Sequence, residues 1–403
     1  MTELRYFSGV VFMLKLSFLY PVDTKSKLGT GLYFVWGFFY AASFVTTFVQ
    51  CAVYLYKTPF DLIEESMVIM NTVIYFSLFV NFTFLFVKRR KLVELVVNIN
   101  ANFVNGSDNK VEEITMERAA RISDKFAYFW ALNCVVSCLM PTISSLLSGN
   151  IQLPILEWIP YDTQKSPLRF AITYIWQVFC LTNLGAIYAV LDLVFPCISV
   201  VMGQQFKILS SNFTNNINKT LVESGVPITP NFTPETLNEI KSDEFQKQNF
   251  RYFRKNIKHH QILLEYCDDL NDILSTFLMG KISAAIFNTL FMAFSLITTG
   301  NHAMIFGLAS YVMSVTIELF IYTYSGQILT QSADVLWPLY ESQWYLCDLN
   351  YQRTFNIVQM RASKMVHTKA GNYFSMSASS FITFMKALCS YVALLKELTE
   401  RGR

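Results

Sequence analysis

Charge is what this chain has least of. Asp, Glu, Lys and Arg make up 15% of its 403 residues, against roughly 25% in soluble domains. Histidine occurs four times, as the adjacent pair His259 and His260 and as the distant His302 and His367. No Ser–His–acid set or histidine ligand set takes shape. Neighbouring histidines on a helix point in different directions, which reads as a solvated face rather than a metal site. The "GTG" at 29–31 lacks both the third glycine and the preceding strand of a dinucleotide fingerprint. A net charge of +3, spread thinly, gives no surface for nucleic acid. The eight cysteines mostly fall inside predicted helices, so they read as buried thiols and not as a disulfide or zinc framework. Cys134 and Cys138, at i and i+4, read as small core residues. No cofactor is expected, and nothing points to an enzyme.

What is abundant is apolar surface in blocks. Hydrophobic residues are 53% and aromatics 16% of the chain, and mean hydropathy is +0.35. Runs of about 18 or more apolar residues read as membrane-spanning helices. Seven appear, at about 29–56, 63–87, 126–148, 168–201, 275–299, 303–325 and 373–396. The expected fold is an all-α membrane protein. Residues 1–20 have no leader-like cleavage pattern and are interrupted by Arg5 and Lys15, so they read as a cytoplasmic interfacial helix within a segment 1–28.

Basic residues collect on the cytoplasmic side of membrane proteins. With the N-terminus inside, 24 of the 32 Lys and Arg residues fall in inside segments and six outside, while Lys281 and Lys386 lie within helices. "KRRK" at 88–91 follows the second span directly. Seven spans then put the C-terminus outside. Sequons at Asn105, Asn212, Asn218 and Asn231 lie in loops read here as cytoplasmic; glycans on Asn212 or Asn218 would reverse the orientation. The resulting plan is spans one to four over 29–204, with an outer, proline-rich lid at 149–167. A cytoplasmic loop and amphipathic anchor helix follow over 205–274, then spans five and six over 275–325. A cytoplasmic anchor helix and loop occupy 326–371, and the last helix with an outer C-terminus occupies 372–403. Residues 212–240, rich in Asn, Thr and Pro, read as a flexible loop. Ser123 and Asp124 read as caps for the third span.

The last span carries a polar seam. At about 100° per residue, Phe374, Phe381, Phe384, Leu388, Tyr391, Val392 and Leu395 share one half. Ser375, Ser379, Thr383, Lys386, Ser390, Ala393 and Glu397 share the other. Small residues suit helix packing, but a mid-helix lysine suits a water-filled path. One helix cannot enclose a pore, so this reading requires an oligomer with the helix at its axis. Leu394, near the outer end of the same half, is placed to close such a pore by dewetting.

From 321 to 395 the chain resembles the C-terminal signature of insect odorant receptors: "SGQILTQSADV" (325–335), "LYESQWY" (339–345), "VQMRASK" (358–364), "AGNYFSMS" (370–377) and "FMKALCSYVALL" (384–395). The outer "LP…W.PYD…SP" at 153–167 and Gln177 fit as well. Departures are Thr323–Tyr324, Met365 and Cys389. The resemblance implies a tetrameric, odorant-gated, non-selective cation channel in the plasma membrane of a sensory neuron dendrite. It also implies a tuning subunit assembled with a shared co-receptor, a last segment split into an anchor helix (about 331–352) and a pore helix (about 373–396), and a gate at Leu394. The ligand site it implies lies in the outer half, among spans two, three, four and six. Candidates there are Asn71, Tyr75, Phe76, Asn133, Ser137, Met140, Tyr174, Gln177, Tyr311 and Ser314. None is charged, which suits a small neutral volatile such as an ester, alcohol or aldehyde. The competing class is a G-protein-coupled receptor, whose N-terminus would lie outside.

Overall fold

The computed structural model describes residues 8–20, 27–58, 66–104, 110–147, 153–227, 233–298, 302–371 and 373–401. Among these, five helices are long and apolar enough to cross a membrane: Thr30–Lys57, Val68–Ile99, Pro167–Thr214, Asp243–Ile297 and Ala378–Glu397. They belong to α2 (Lys27–Lys57), α3 (Ser66–Val104), α5 (Pro167–Thr214), α8 (Asp243–Thr298) and α12 (Ala378–Arg401). Two further long helices, α4 (Lys110–Leu147) and α9 (His302–Ser332), pack along α5 in the same bundle. Asp61, Glu64 and Glu65, carboxylates that suit the N-terminal end of the second span, lie outside the described residues.

α5 is the central post. From Cys180 to Phe213 most side chains are buried, which accounts for its being apolar on most sides rather than on one stripe. Gly185 lets α4 approach it: a Cβ there would stand 2.8 Å from the Cα of Val135 and 2.9 Å from the Cys134 carbonyl. Small residues at such crossings are how membrane helices gain packing without a hydrophobic drive. Both α5 and α8, 48 and 56 residues long, far exceed the roughly 20 residues a bilayer needs.

Several sequence expectations are corrected here. Asp124 does not start a helix, because α4 begins at Lys110. Its carboxylate instead accepts from Ser8 Oγ (2.6 Å) and Gly9 N (2.9 Å), capping the free N–H end of α1 (Ser8–Leu16). α1 buries Val10, Val11 and Leu14 and packs on α4 and α5, so its apolar side meets protein. The stretch read as flexible contains α6 (Asn216–Glu223) and α7 (Pro234–Ile240). Its asparagines serve as cross-links. Asn216 Nδ2 donates to Asn249 Oδ1 (2.7 Å), Thr220 Oγ1 donates to the same oxygen (3.2 Å), and Asn256 Nδ2 donates to Asn216 Oδ1 (3.2 Å). His260 is buried against the Phe213 ring, not solvated, and burial pushes its imidazole down to about 4.

The single anchor helix expected over 331–352 is three pieces: α10 (Leu336–Glu341), a 3₁₀ turn (Trp344–Leu346) and the start of α11 (Leu349–Ala362). Ser342 is extended, and Asp348 caps α11 by accepting from Tyr351 N at 2.9 Å. A small antiparallel hairpin, β1 (Lys369–Ala370) with β2 (Phe374–Ser375), pairs Lys369 with Ser375 and Ala370 with Phe374. It delays the start of α12 to Ala378. The hairpin is tied to α8 by Gly371 N donating to the Ser275 carbonyl at 2.9 Å.

Candidate ligand site and pore helix

Of the ligand candidates, Tyr75 on α3 is buried, its ring edge-on to Phe44. Asn71, Asn133, Ser137, Met140, Tyr174 and Ser314 are half-buried. The Tyr174 hydroxyl is buried with no hydrogen-bond partner. Tyr311 lies on α9, but its side chain falls outside the described residues. Phe76 is 56% exposed and stacked on Phe48 of α2. Gln177 is reassigned. It is fully buried and its amide is spent on the lid: Nε2 donates to the Ile155 carbonyl (3.1 Å) and to Glu157 Oε1 (2.7 Å), while Oε1 accepts from Ile155 N (3.1 Å). The lid is pinned again where Trp158 N donates to the Gln50 carbonyl (3.2 Å) and the Lys57 ammonium sits 4.0 Å over the Trp158 ring. Burial pushes the Glu157 carboxyl up to about 7, against the pull of its Gln177 hydrogen bond.

Deeper in the bundle lies a charge cluster that the sequence reading did not assemble. The Lys281 ammonium on α8 is 2.7 Å from Asp192 Oδ1 on α5 and 2.8 Å from Glu318 Oε1 on α9. Tyr322 OH donates to Asp192 Oδ1 (2.9 Å) and Trp130 Nε1 to Asp192 Oδ2 (3.3 Å). The ammonium also stands 4.2 Å over the Tyr188 ring. Four helices thus converge on one buried ion cluster. The signal was available: an ionisable residue inside an apolar span faces the bundle interior and has a partner. Lys281, Asp192 and Glu318 all met that test, but sequence cannot say that they meet one another. Beside the cluster is a cavity of about 10 Å³, walled by Ser77, Tyr188, Lys281, Asn288, Val315 and Glu318. Of the ten ligand candidates, none is on that wall.

α12 divides as its periodicity requires. Ser379, Thr383, Lys386, Ser390, Leu394 and Glu397 are all exposed, whereas Phe381, Phe384, Leu388, Tyr391, Val392 and Leu395 are half-buried. The covered half packs on α8 and α9, with the Phe381 ring edge-on to Phe320 at 5.5 Å. Ser377 caps the helix, its Oγ accepting from Ser380 N at 3.3 Å. Close packing of the hairpin on α9 depends on Gly326, where a Cβ would overlap the Met376 side chain and carbonyl.

Comparison with known proteins follows the same lines. The model of the 7tm odorant receptor family matches residues 61–389. The chain is 22% identical over 341 residues to odorant receptor 10 of Aedes albopictus, covering 81% of this chain and 82% of that one. It is 23% identical over 288 residues to odorant receptor 47a of Drosophila melanogaster, covering 68% and 66%. Its fold is similar to that of the olfactory receptor OR5 from Machilis hrabei, with a TM-score of 0.77 at 13% identity over 96% of this chain and 97% of that one. A second structure of that receptor, in complex with eugenol, matches with a TM-score of 0.75. A family match over most of the chain and a shared multi-pass helical fold lead to one conclusion: the chain belongs to the 7tm odorant receptor family.

Proposed function

We propose that the chain is the odorant-tuning subunit of a ligand-gated cation channel, assembled as a tetramer with a shared co-receptor in the plasma membrane of a sensory dendrite. Seven spans, with the N-terminus inside, bring α12 to the axis of the assembly. The observation that carries this reading is the division of α12. Its apolar half packs against its own subunit, while Ser379, Thr383, Lys386 and Ser390 on its polar half are exposed. An exposed polar half in a bilayer needs water beside it. Ser379, Thr383, Lys386 and Ser390 line that water, Glu397 stands at the outer mouth, and Leu394 forms the narrow apolar ring.

A small neutral volatile binds among α3, α4, α5 and α9, with Asn71, Tyr75, Asn133, Ser137, Met140, Tyr174, Tyr311 and Ser314 as the wall. Binding favours the state in which the α12 helices splay, and needs only higher affinity for that state. In cells expressing this chain with a co-receptor, odorant is expected to evoke a cation current, and Leu394→Ala to raise the current without odorant several-fold. Currents indifferent to every substitution at Leu394 and Lys386 would remove α12 from the pore.

A further inference from the structure

We propose that the cavity beside the Lys281 cluster is the polar end of the ligand site and selects ligands bearing a hydroxyl hydrogen, alcohols and phenols, over acceptor-only esters, ethers and ketones. This rests on the odorant-binding reading above and adds α8, a helix which that reading left out.

The observation behind it is an unmet acceptor. Asn288, one of the residues walling the cavity, is 2% exposed, and its Oδ1 has no hydrogen-bond partner among the described residues. A buried acceptor left without a donor is costly and marks a group that something else satisfies. The Lys281 ammonium is not available for it. That group is already shared between Asp192 and Glu318 and lies over the Tyr188 ring. One cation against two carboxylates also leaves the cluster rich in electron pairs. A polar hydrogen entering the cavity is attracted by that excess, while a carbonyl or ether oxygen entering it would set lone pairs against lone pairs.

Size and shape agree. About 10 Å³ is the room of one water or one hydroxyl, so the cavity takes a head group and not a whole odorant. Ser77 adds a hydroxyl on the α3 wall and Val315 an apolar surface on the α9 wall. In the empty receptor one water fills the space; an alcohol displaces it and supplies the same hydrogen bond. A ligand without the hydrogen must either leave the Asn288 oxygen unmet or bind short of the cavity. Sites built to hydrogen-bond a hydroxyl discriminate strongly against analogues that lack it.

The test uses the full chain, purified in lipid nanodiscs, and ligands matched in number of heavy atoms: 1-octanol against methyl heptyl ether and 2-octanone, and p-cresol against anisole. Ligand affinity is read from the concentration dependence of the thermal unfolding shift. Alcohols and phenols should bind at least about tenfold more tightly than their partners, the value of one hydrogen bond. Asn288→Leu should abolish that margin while leaving the ether affinity in place. Asn288→Asp keeps an acceptor and should keep the margin, which covers the case in which the leucine variant does not fold. Equal affinity within the pairs, no binding by any alcohol, or a margin that survives in Asn288→Leu would overturn the proposal. Currents recorded with the co-receptor separate the two readings. The predicted affinities without any evoked current defeat the channel and leave the site, whereas evoked current without alcohol preference defeats the site and leaves the channel.

Discussion

Two lysines stand inside apolar helices, and the fold treats them in opposite ways. Lys281 is 5% exposed and held by two carboxylates from two other helices. Lys386 is exposed. In sequence the two look alike, one cation in a run of apolar residues. The difference lies in what the neighbouring helices bring. α5 and α9 deliver Asp192 and Glu318 to Lys281, with Tyr322 donating to Asp192, whereas α8 and α9 cover the apolar half of α12, which Lys386 does not occupy. The first lysine ties one subunit together; the second is left for whatever lies beyond it.

The strongest way to break this comparison is to remove each charge in turn. Lys281→Met strands two carboxylates in the bundle and should cost about 3–5 kcal/mol, seen as a sharp loss of thermal stability in detergent or nanodiscs. Adding Asp192→Asn and Glu318→Gln should recover most of it. Lys386→Met should change stability by less than about 0.5 kcal/mol, as exposed substitutions do. Equal losses for the two lysines would contradict the division. A smaller effect tests the joint between the two regions. Gly326→Ala places a methyl against Met376 and should destabilise by about 1–3 kcal/mol through overpacking, while Gly31→Ala, with open space around it, should not.

The smallest effect concerns the lid above the cluster. Glu157 has an ordinary value of 4.5 and is pushed up to about 7 by burial, so the docked lid holds a proton that the undocked lid gives up. Its contribution to docking is complete below about 4.5, falls as pH rises towards 7, and is flat above. Hydrogen exchange of residues 153–166 should therefore quicken between pH 5 and about 7 beyond the intrinsic pH trend. Glu157→Gln should flatten that excess, and an unchanged excess in this variant would assign it elsewhere.

How much of this was legible beforehand varies with the kind of signal. The seam of α12 was readable because periodicity alone fixes which residues share a face, and the exposed and half-buried sets follow it residue by residue. Asn216 and Asn249 were not, since an asparagine favours loops locally and only a partner 33 residues away turns it into a cross-link. Gln177 matched a family pattern, yet its amide is occupied by the lid.

By itself the sequence determined the class of molecule and the two-sided character of its last helix. These depend on composition and on the fixed rotation per residue of a helix, both local properties. Which polar groups meet was decided only in three dimensions. Asp192, Lys281 and Glu318 are far apart along the chain, and their electrostatic energy depends on distances that helix packing alone sets. The same packing left the Asn288 oxygen without a donor among the described residues, a feature defined by what surrounds it and therefore invisible in any single stretch of sequence.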